Sequence, residues 1–113
     1  MTKGEPDVAV LERLFAVIES RHGADLENSY TARLLADGTE AAATKLREEA
    51  GETAEAALNE TPERIAAESA DLLYHLLVLW AATGVMPGDV WAELARREGV
   101  SGLAEKAGRT KRE

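Results

Sequence analysis

The chain has 113 residues, 21 of them acidic and 13 basic, so its formal net charge at pH 7 is −8. This length suits a single domain, residues 1–113, and the negative surface disfavours nucleic acid as a partner. The absence of cysteine excludes disulfides, thiolate zinc sites and cysteine nucleophiles, and it fits a cytoplasmic location. The longest apolar stretch, 72–82, is shorter than a membrane span, so no membrane partner is expected.

Helical periodicity predicts a first helix over residues 7–22. Leu14, Phe15 and Ile18 recur at helical spacing there, and Gly23 is a natural stop. The following stretch, "GADLENSYTARLLADG", predicts a loop with one short helical turn around residues 30–35. A second helix is predicted over 39–59, with Thr39 as its cap candidate. Gly51 is the one weak helix former inside it.

Two further helices complete the predicted set. The third runs over 62–83, with Thr61 as its cap, Pro62 at the first helical position and Gly84 at its end. The fourth runs over 87–98. The tail, from about 100 to 113, is predicted to be partly mobile, because it ends in basic and polar residues.

These elements predict an all-α fold, a small bundle of four main helices. No segment alternates apolar and polar residues with the period of a strand. The second and third helices share a short connection, so they are predicted to be antiparallel neighbours. The third helix is apolar around most of its circumference and should therefore be buried on all sides. Three other modest helices cannot cover it, so a homodimer is expected to complete the bundle.

Two pairs of acidic residues at spacing i, i+3 lie on these antiparallel helices. Glu49 and Glu52 share one face of the second helix, and Glu68 and Asp71 share one face of the third. Such pairs can converge on one point from opposite sides. Carboxylate oxygens without thiolates favour a hard cation, Mg²⁺ or alternatively Mn²⁺. Asp71 adjoins the apolar run and lies too deep in its helix for a capping role, which favours metal binding.

Other interpretations remain open for some of these residues. Glutamates on an alanine-rich helix are usually a solvated face, and Lys45 with Glu49 could be a surface ion pair. His75, inside an apolar helix, is more typical of a core residue with one hydrogen bond than of a base. The segment "SYTARLL" fits a capped turn or a loop over a ligand equally well.

Several motifs together resemble a known family. "KLREEAGETAEAAL" and "ESADLLYHLLVLW" resemble the all-α nucleoside-triphosphate pyrophosphohydrolase superfamily, whose signature is E-x-x-E and E-x-x-D on paired helices. More narrowly, "SYTARLL", "KLREEAGE", "ADLLYHLLVL" and "SGLAEKAGR" resemble the phosphoribosyl-ATP pyrophosphohydrolases of histidine biosynthesis. The resemblance spans residues 11–109.

The resemblance implies an enzyme that binds a nucleotide and hydrolyses phosphoribosyl-ATP to phosphoribosyl-AMP and pyrophosphate with Mg²⁺. This is the second step of histidine biosynthesis. By position in the motifs, the metal-binding residues would be Glu48, Glu49, Glu52, Glu68 and Asp71. Glu48 or Glu52 would be the base that deprotonates the attacking water. Lys45 would assist catalysis, and the residues contacting substrate would be Ser29, Tyr30, Arg33 and Lys45.

Two alternative functions remain open from the sequence. The same chemistry could act on free nucleoside or deoxynucleoside triphosphates, as in house-cleaning members of the superfamily. The chain could instead be a helical dimerisation module without catalysis, in which the acids only keep the protein in solution.

Overall fold

The computed structural model describes residues 6–99, and every regular element within them is an α-helix. The helices are α1 (Ala9–Glu19), α2 (Tyr30–Asp37), α3 (Thr39–Asn59), α4 (Pro62–Thr83) and α5 (Pro87–Arg97). The all-α prediction is confirmed. The four-helix count is wrong, because the segment predicted as one turn is a separate helix, α2. The predicted tail, from about 100 to 113, lies outside the described residues.

Local hydrogen bonds and burial explain why α2 forms. The Ser29 hydroxyl accepts a hydrogen bond from the backbone N–H of Ala32 at 3.0 Å and caps the first turn. Ala32 and Leu34 are buried, so the helix gains from packing as well as from its cap. Gly38 ends it with φ +93°, a conformation that favours glycine. Thr39 is the first residue of α3, and its side chain makes no cap bond, contrary to the prediction.

Helices α3 and α4 are packed neighbours, as the sequence predicts, and their hairpin is the centre of the fold. The Thr61 side chain accepts a hydrogen bond from the backbone N–H of Arg64 at 3.3 Å, and Pro62 follows at the first helical position. Gly84 ends α4 with φ +80°. The two helices pack along their length, and α1 and α2 pack against the same hairpin.

The core lies where α1 and α2 meet α4. Its largest fully buried side chains are Ile18 of α1 with Leu77 and Val78 of α4. At the far end, α5 is attached through Trp91. The Trp91 ring packs edge-on against Trp80 with centroids 5.9 Å apart, and its N–H donates to the Glu12 carboxylate.

Helix α4 is buried on one face rather than all round. Leu77 and Val78 are fully buried, but Leu73, one turn before Leu77 on the same side of the helix, is 44% exposed. Within the described part of one chain, some of the apolar surface of α4 is therefore uncovered, and the homodimer stays a prediction. By length and composition alone, α4 could also cross a membrane. A core helix passes the same test, and α4 packs against three other helices.

Gly51 provides a test of helix stability on the exposed side of α3. A Cβ added at this position would meet no atom within 4 Å. Since alanine is favoured over glycine in a helix interior by about 1 kcal/mol, Gly51→Ala should raise the free energy of unfolding by about that amount. Urea denaturation measures it. The matched variant Gly84→Ala should lower stability, because its φ of +80° strains an L-residue. A loss of stability in Gly51→Ala would contradict the expectation.

Candidate metal centre

Three carboxylates converge between α3 and α4. Glu49 of α3 and Glu68 and Asp71 of α4 each present an oxygen, and these oxygens lie within 4.8 Å of one another. Glu49 and Glu68 are buried, whereas Asp71 is exposed. The convergence arises because Glu68 and Asp71 share one face of α4 at spacing i, i+3, and that face is turned towards α3. Three of the five predicted metal residues are thus brought together.

Glu52 lies one turn along α3 and close to Glu49. Burial raises the pKa of the Glu49 carboxyl above its ordinary value, and the negative charge of Glu52 raises it further. Asp71 acts in the same direction, and His75 opposes them. The buried charge of Glu49 is therefore in an electrostatically unfavourable position, because other carboxylates lie beside it.

The remaining glutamates of α3 face other partners. Glu48 is exposed and forms an ion pair with Lys45, with a distance of 3.2 Å between Nζ and Oε1. This hydrogen bond raises the pKa of the Lys45 ammonium. Glu55 is exposed and accepts a hydrogen bond from the Asn59 amide. The glutamates of this helix therefore differ: Glu49 is at the centre of the cluster, Glu52 is beside it, and Glu55 is on the solvated face.

Arg64 is a basic residue at this site that the sequence analysis missed. Its guanidinium binds the Glu68 carboxylate through Nη2, and its Nε lies 3.2 Å from Oε1 of Glu60. Arg64 thereby supplies positive charge beside the buried cluster. The i, i+4 spacing of Arg64 and Glu68 was the signal that could have identified this pair.

Thr53 is a second missed residue, and it lies directly behind the acids. Its hydroxyl is 2.8 Å from the carbonyl oxygen of Glu49 and 3.1 Å from that of Glu68. The second contact crosses from α3 to α4. Thr53 therefore fixes the two helices against each other at the level where their carboxylates meet.

We expect Thr53→Val to lower the free energy of unfolding by about 1 kcal/mol, the usual net value of one hydrogen bond. Urea denaturation measures the loss. Thr53→Ser keeps the hydroxyl and should retain most of the stability. Equal stabilities for the valine and serine variants would show that the hydrogen bond from the Thr53 hydroxyl to α4 contributes nothing to the stability of the fold.

Helix α2 is joined to the site through Tyr30 and His75. The His75 Nδ1 lies 2.8 Å from the carbonyl oxygen of Asp71, which can only accept, so Nδ1 carries the proton. In the neutral ring, Nε2 then accepts from the Tyr30 hydroxyl at 3.2 Å. His75 is buried, as the core interpretation expects, but both of its ring nitrogens are bonded rather than one. A parallel bond joins the hydroxyls of Thr31 and Tyr74.

The four predicted substrate-contacting residues occupy different positions around the cluster. Ser29 caps α2, and Arg33 is exposed on the same helix. Tyr30 lies beside His75 and close enough to Lys45 to help raise the pKa of its ammonium. Tyr30 and Lys45 therefore lie next to the acids. No contact of the Arg33 side chain links it to them among residues 6–99.

Comparison with known proteins identifies the family. Residues 11–98 match the family model described as phosphoribosyl-ATP pyrophosphohydrolase. The chain is 58% identical over 106 residues to the phosphoribosyl-ATP pyrophosphatase of Parvibaculum lavamentivorans, covering 94% of this chain and 97% of the relative. The enzyme of the same name from Paramagnetospirillum magneticum is 56% identical with the same coverage. The relative from Rhodospirillum rubrum is also 56% identical and is covered to 91%. The chain belongs to the phosphoribosyl-ATP pyrophosphohydrolase family.

Proposed function

We propose that this chain hydrolyses phosphoribosyl-ATP to phosphoribosyl-AMP and pyrophosphate, the second step of histidine biosynthesis. Its membership of the family supports the reaction and the substrate. The observation on the chain itself that supports a hydrolase of polyphosphates is the convergence of Glu49, Glu68 and Asp71. An acidic protein repels a polyphosphate unless a cation lies between the two. The carboxylate cluster is suited to hold such a cation.

The donors in the cluster fit Mg²⁺, with Mn²⁺ as the alternative. All are carboxylate oxygens, which hard divalent cations prefer, and the burial of Glu49 and Glu68 makes a bound cation favourable. Glu49, Glu68 and Asp71 would hold the ion, with Glu52 and Glu48 as the outer members of the proposed set. When bound, the ion neutralises charge that develops on the phosphate oxygens during cleavage.

The side chains around the cluster have distinct proposed roles. Glu52 is the better placed base, since it lies beside Glu49 while Glu48 is held by Lys45. Lys45 stays protonated, because its bond to Glu48 raises the pKa of its ammonium, and it can offset phosphate charge. Tyr30 and Ser29, at the start of α2, face the substrate side of the site, and Arg33 is a more distant contact.

We also propose that the enzyme works as a homodimer in the cytoplasm, without nucleic acid or membrane partners. The uncovered apolar side of α4, with Leu73 44% exposed, supports the dimer. The net charge of −8 is unfavourable for phosphate backbones. Light scattering of the purified full chain tests the assembly. A monomer at micromolar concentration would refute it.

The deciding assay is pyrophosphate release from phosphoribosyl-ATP, measured beside a panel of deoxynucleoside triphosphates, with Mg²⁺ and with EDTA. We expect turnover of phosphoribosyl-ATP with Mg²⁺ and little turnover of the other nucleotides. Comparable kcat/KM values across the panel would instead assign a house-cleaning function. A folded protein that releases no pyrophosphate from any of them would point to a non-catalytic helical module.

A further inference from the structure

A cavity separate from the carboxylate cluster lies between the end of α1 and the start of α2. Its volume is about 390 Å³, within the usual range for small-molecule sites. Apolar and polar residues both line it. The polar ones include Arg21 from the turn after α1, Asp25, Asn28 and Ser29 from the connection, and Tyr30 from α2. No role proposed above uses Arg21 or Asn28.

Arg21 supplies the cavity with a cation that carboxylates do not already occupy. No ion pair of Arg21 occurs among residues 6–99. The carboxylate that lines the cavity, Asp25, is engaged locally: Oδ1 accepts from the backbone N–H of Glu27 at 2.9 Å, and Oδ2 accepts from the Asn28 amide at 2.6 Å. The guanidinium is therefore available to a ligand. In a protein of net charge −8, such a group favours an anionic ligand.

Further donors line the same cavity. The Ser29 oxygen accepts from the Ala32 backbone N–H at 3.0 Å, which leaves its O–H free to donate. The Asn28 amide has two N–H groups, and only one of them is used by Asp25. A ligand with phosphate oxygens and sugar hydroxyls matches this combination of a guanidinium, an amide and a hydroxyl.

Tyr30 connects the cavity to the carboxylate cluster. Its ring lines the cavity, while its hydroxyl lies 3.2 Å from Nε2 of His75. The other nitrogen of His75 is bonded to the backbone carbonyl of Asp71. Tyr30 thus lines the cavity and is linked through His75 to the backbone of Asp71, a residue of the acidic cluster. A substrate whose triphosphate lies at the acids can extend past Tyr30 into the cavity.

We propose that this cavity binds the phosphorylated ribose by which phosphoribosyl-ATP differs from an ordinary nucleoside triphosphate, with Arg21 binding its phosphate. The inference rests on the function proposed above and deepens it, because it assigns the residues that distinguish the two substrate classes. The guanidinium suits a phosphate because it can donate two parallel hydrogen bonds.

The test compares Arg21→Gln, Arg21→Lys and the control Arg13→Gln, an exposed α1 residue that does not line the cavity. Since a hydrogen bond to a charged group contributes about 1.5–3 kcal/mol, Arg21→Gln should raise KM for phosphoribosyl-ATP about 10- to 100-fold. The kcat should change little, because Arg21 is proposed to bind the phosphate of the ribose and not the triphosphate that is cleaved. Arg21→Lys should recover part of the loss, and Arg13→Gln should match the wild type.

A binding measurement distinguishes phosphate recognition from recognition of the whole sugar phosphate. NMR spectroscopy follows the chemical shifts of the backbone amides of residues 28–31 while D-ribose 5-phosphate, inorganic phosphate or D-ribose is added to the wild type. We expect the sugar phosphate to bind more tightly than either part, and the shifts to be lost in Arg21→Gln.

The two proposals fail in different ways. If the wild type releases no pyrophosphate from phosphoribosyl-ATP, the proposed function fails. If the wild type is active but Arg21→Gln retains its KM, or if D-ribose 5-phosphate shifts no amide in residues 28–31, the cavity assignment is overturned.

Discussion

We expect Asp71→Asn to lower kcat/KM for pyrophosphate release from phosphoribosyl-ATP at least ~100-fold while the fold survives. Replacing residues that only support metal ligands typically costs 10- to 100-fold, and Asp71 is a proposed ligand itself. Asp71 is exposed, so asparagine creates no cavity and leaves no buried group unpaired. Steady-state kinetics with saturating Mg²⁺ measure the loss, and circular dichroism verifies the helices.

Glu55→Gln is the matched control. Glu55 lies on α3, is exposed and, among residues 6–99, bonds only to Asn59, so the same change of charge should leave kcat/KM near the wild-type value. If both variants lose activity equally, general loss of negative charge rather than a specific ligand would explain the effect. If neither loses activity, Asp71 is not part of the centre.

Glu49→Gln should change stability in opposite directions with and without the metal. The folded-state pKa of Glu49 is raised, mainly by burial, so the folded protein holds this proton to higher pH than the unfolded chain does. Protonated Glu49 therefore contributes to the stability of the fold. This contribution is complete at pH values below the pKa of Glu49 in the unfolded chain, and it is lost as the pH rises through its pKa in the folded protein. In EDTA, the glutamine variant should therefore have the higher Tm at pH 7 and a smaller advantage near pH 4.

Mg²⁺ should reverse that order. A ligand at 100 times its Kd stabilises the folded state by about 2.7 kcal/mol, and only the wild type keeps the full ligand set. The wild type should gain Tm with Mg²⁺, and the glutamine variant should gain much less. Thermal melts with EDTA, Mg²⁺ and Mn²⁺ measure the reversal. A Tm of the wild type that is indifferent to all divalent ions would contradict the metal centre and favour a purely structural role for the acids.

The central hairpin and its acids were predictable because their signals are local. Thr61 and Pro62 mark the start of α4, and the spacing of Glu68 and Asp71 places both on one face. Once α3 and α4 are antiparallel neighbours, convergence with Glu49 follows. The length of α2 was harder to predict, because its stability comes partly from burial of Leu34 against helices that are distant in sequence.

The contacts that the sequence did not reveal are those that cross between elements. The Thr53 hydroxyl reaches the carbonyl of Glu68 on another helix, and no pattern within α3 indicates this. The bond from Tyr30 to His75 spans 45 positions and depends on how α2 docks. Likewise, the cavity beside Arg21 depends on how the end of α1, the connection and the start of α2 are placed together, which composition does not determine.

The position of all three clustered acids in one hairpin has a consequence for how the site forms and evolves. Glu49, Glu68 and Asp71 belong to consecutive helices joined by a short connection, so their meeting requires closure of only a small loop. Contacts of low sequence separation form early in folding. The acidic site should therefore assemble with the first stable hairpin, whereas the cavity at Arg21 forms only when α1 docks. Substitutions in α1 and in the connection to α2 can then change substrate selectivity, while the hairpin that carries the acids still folds first.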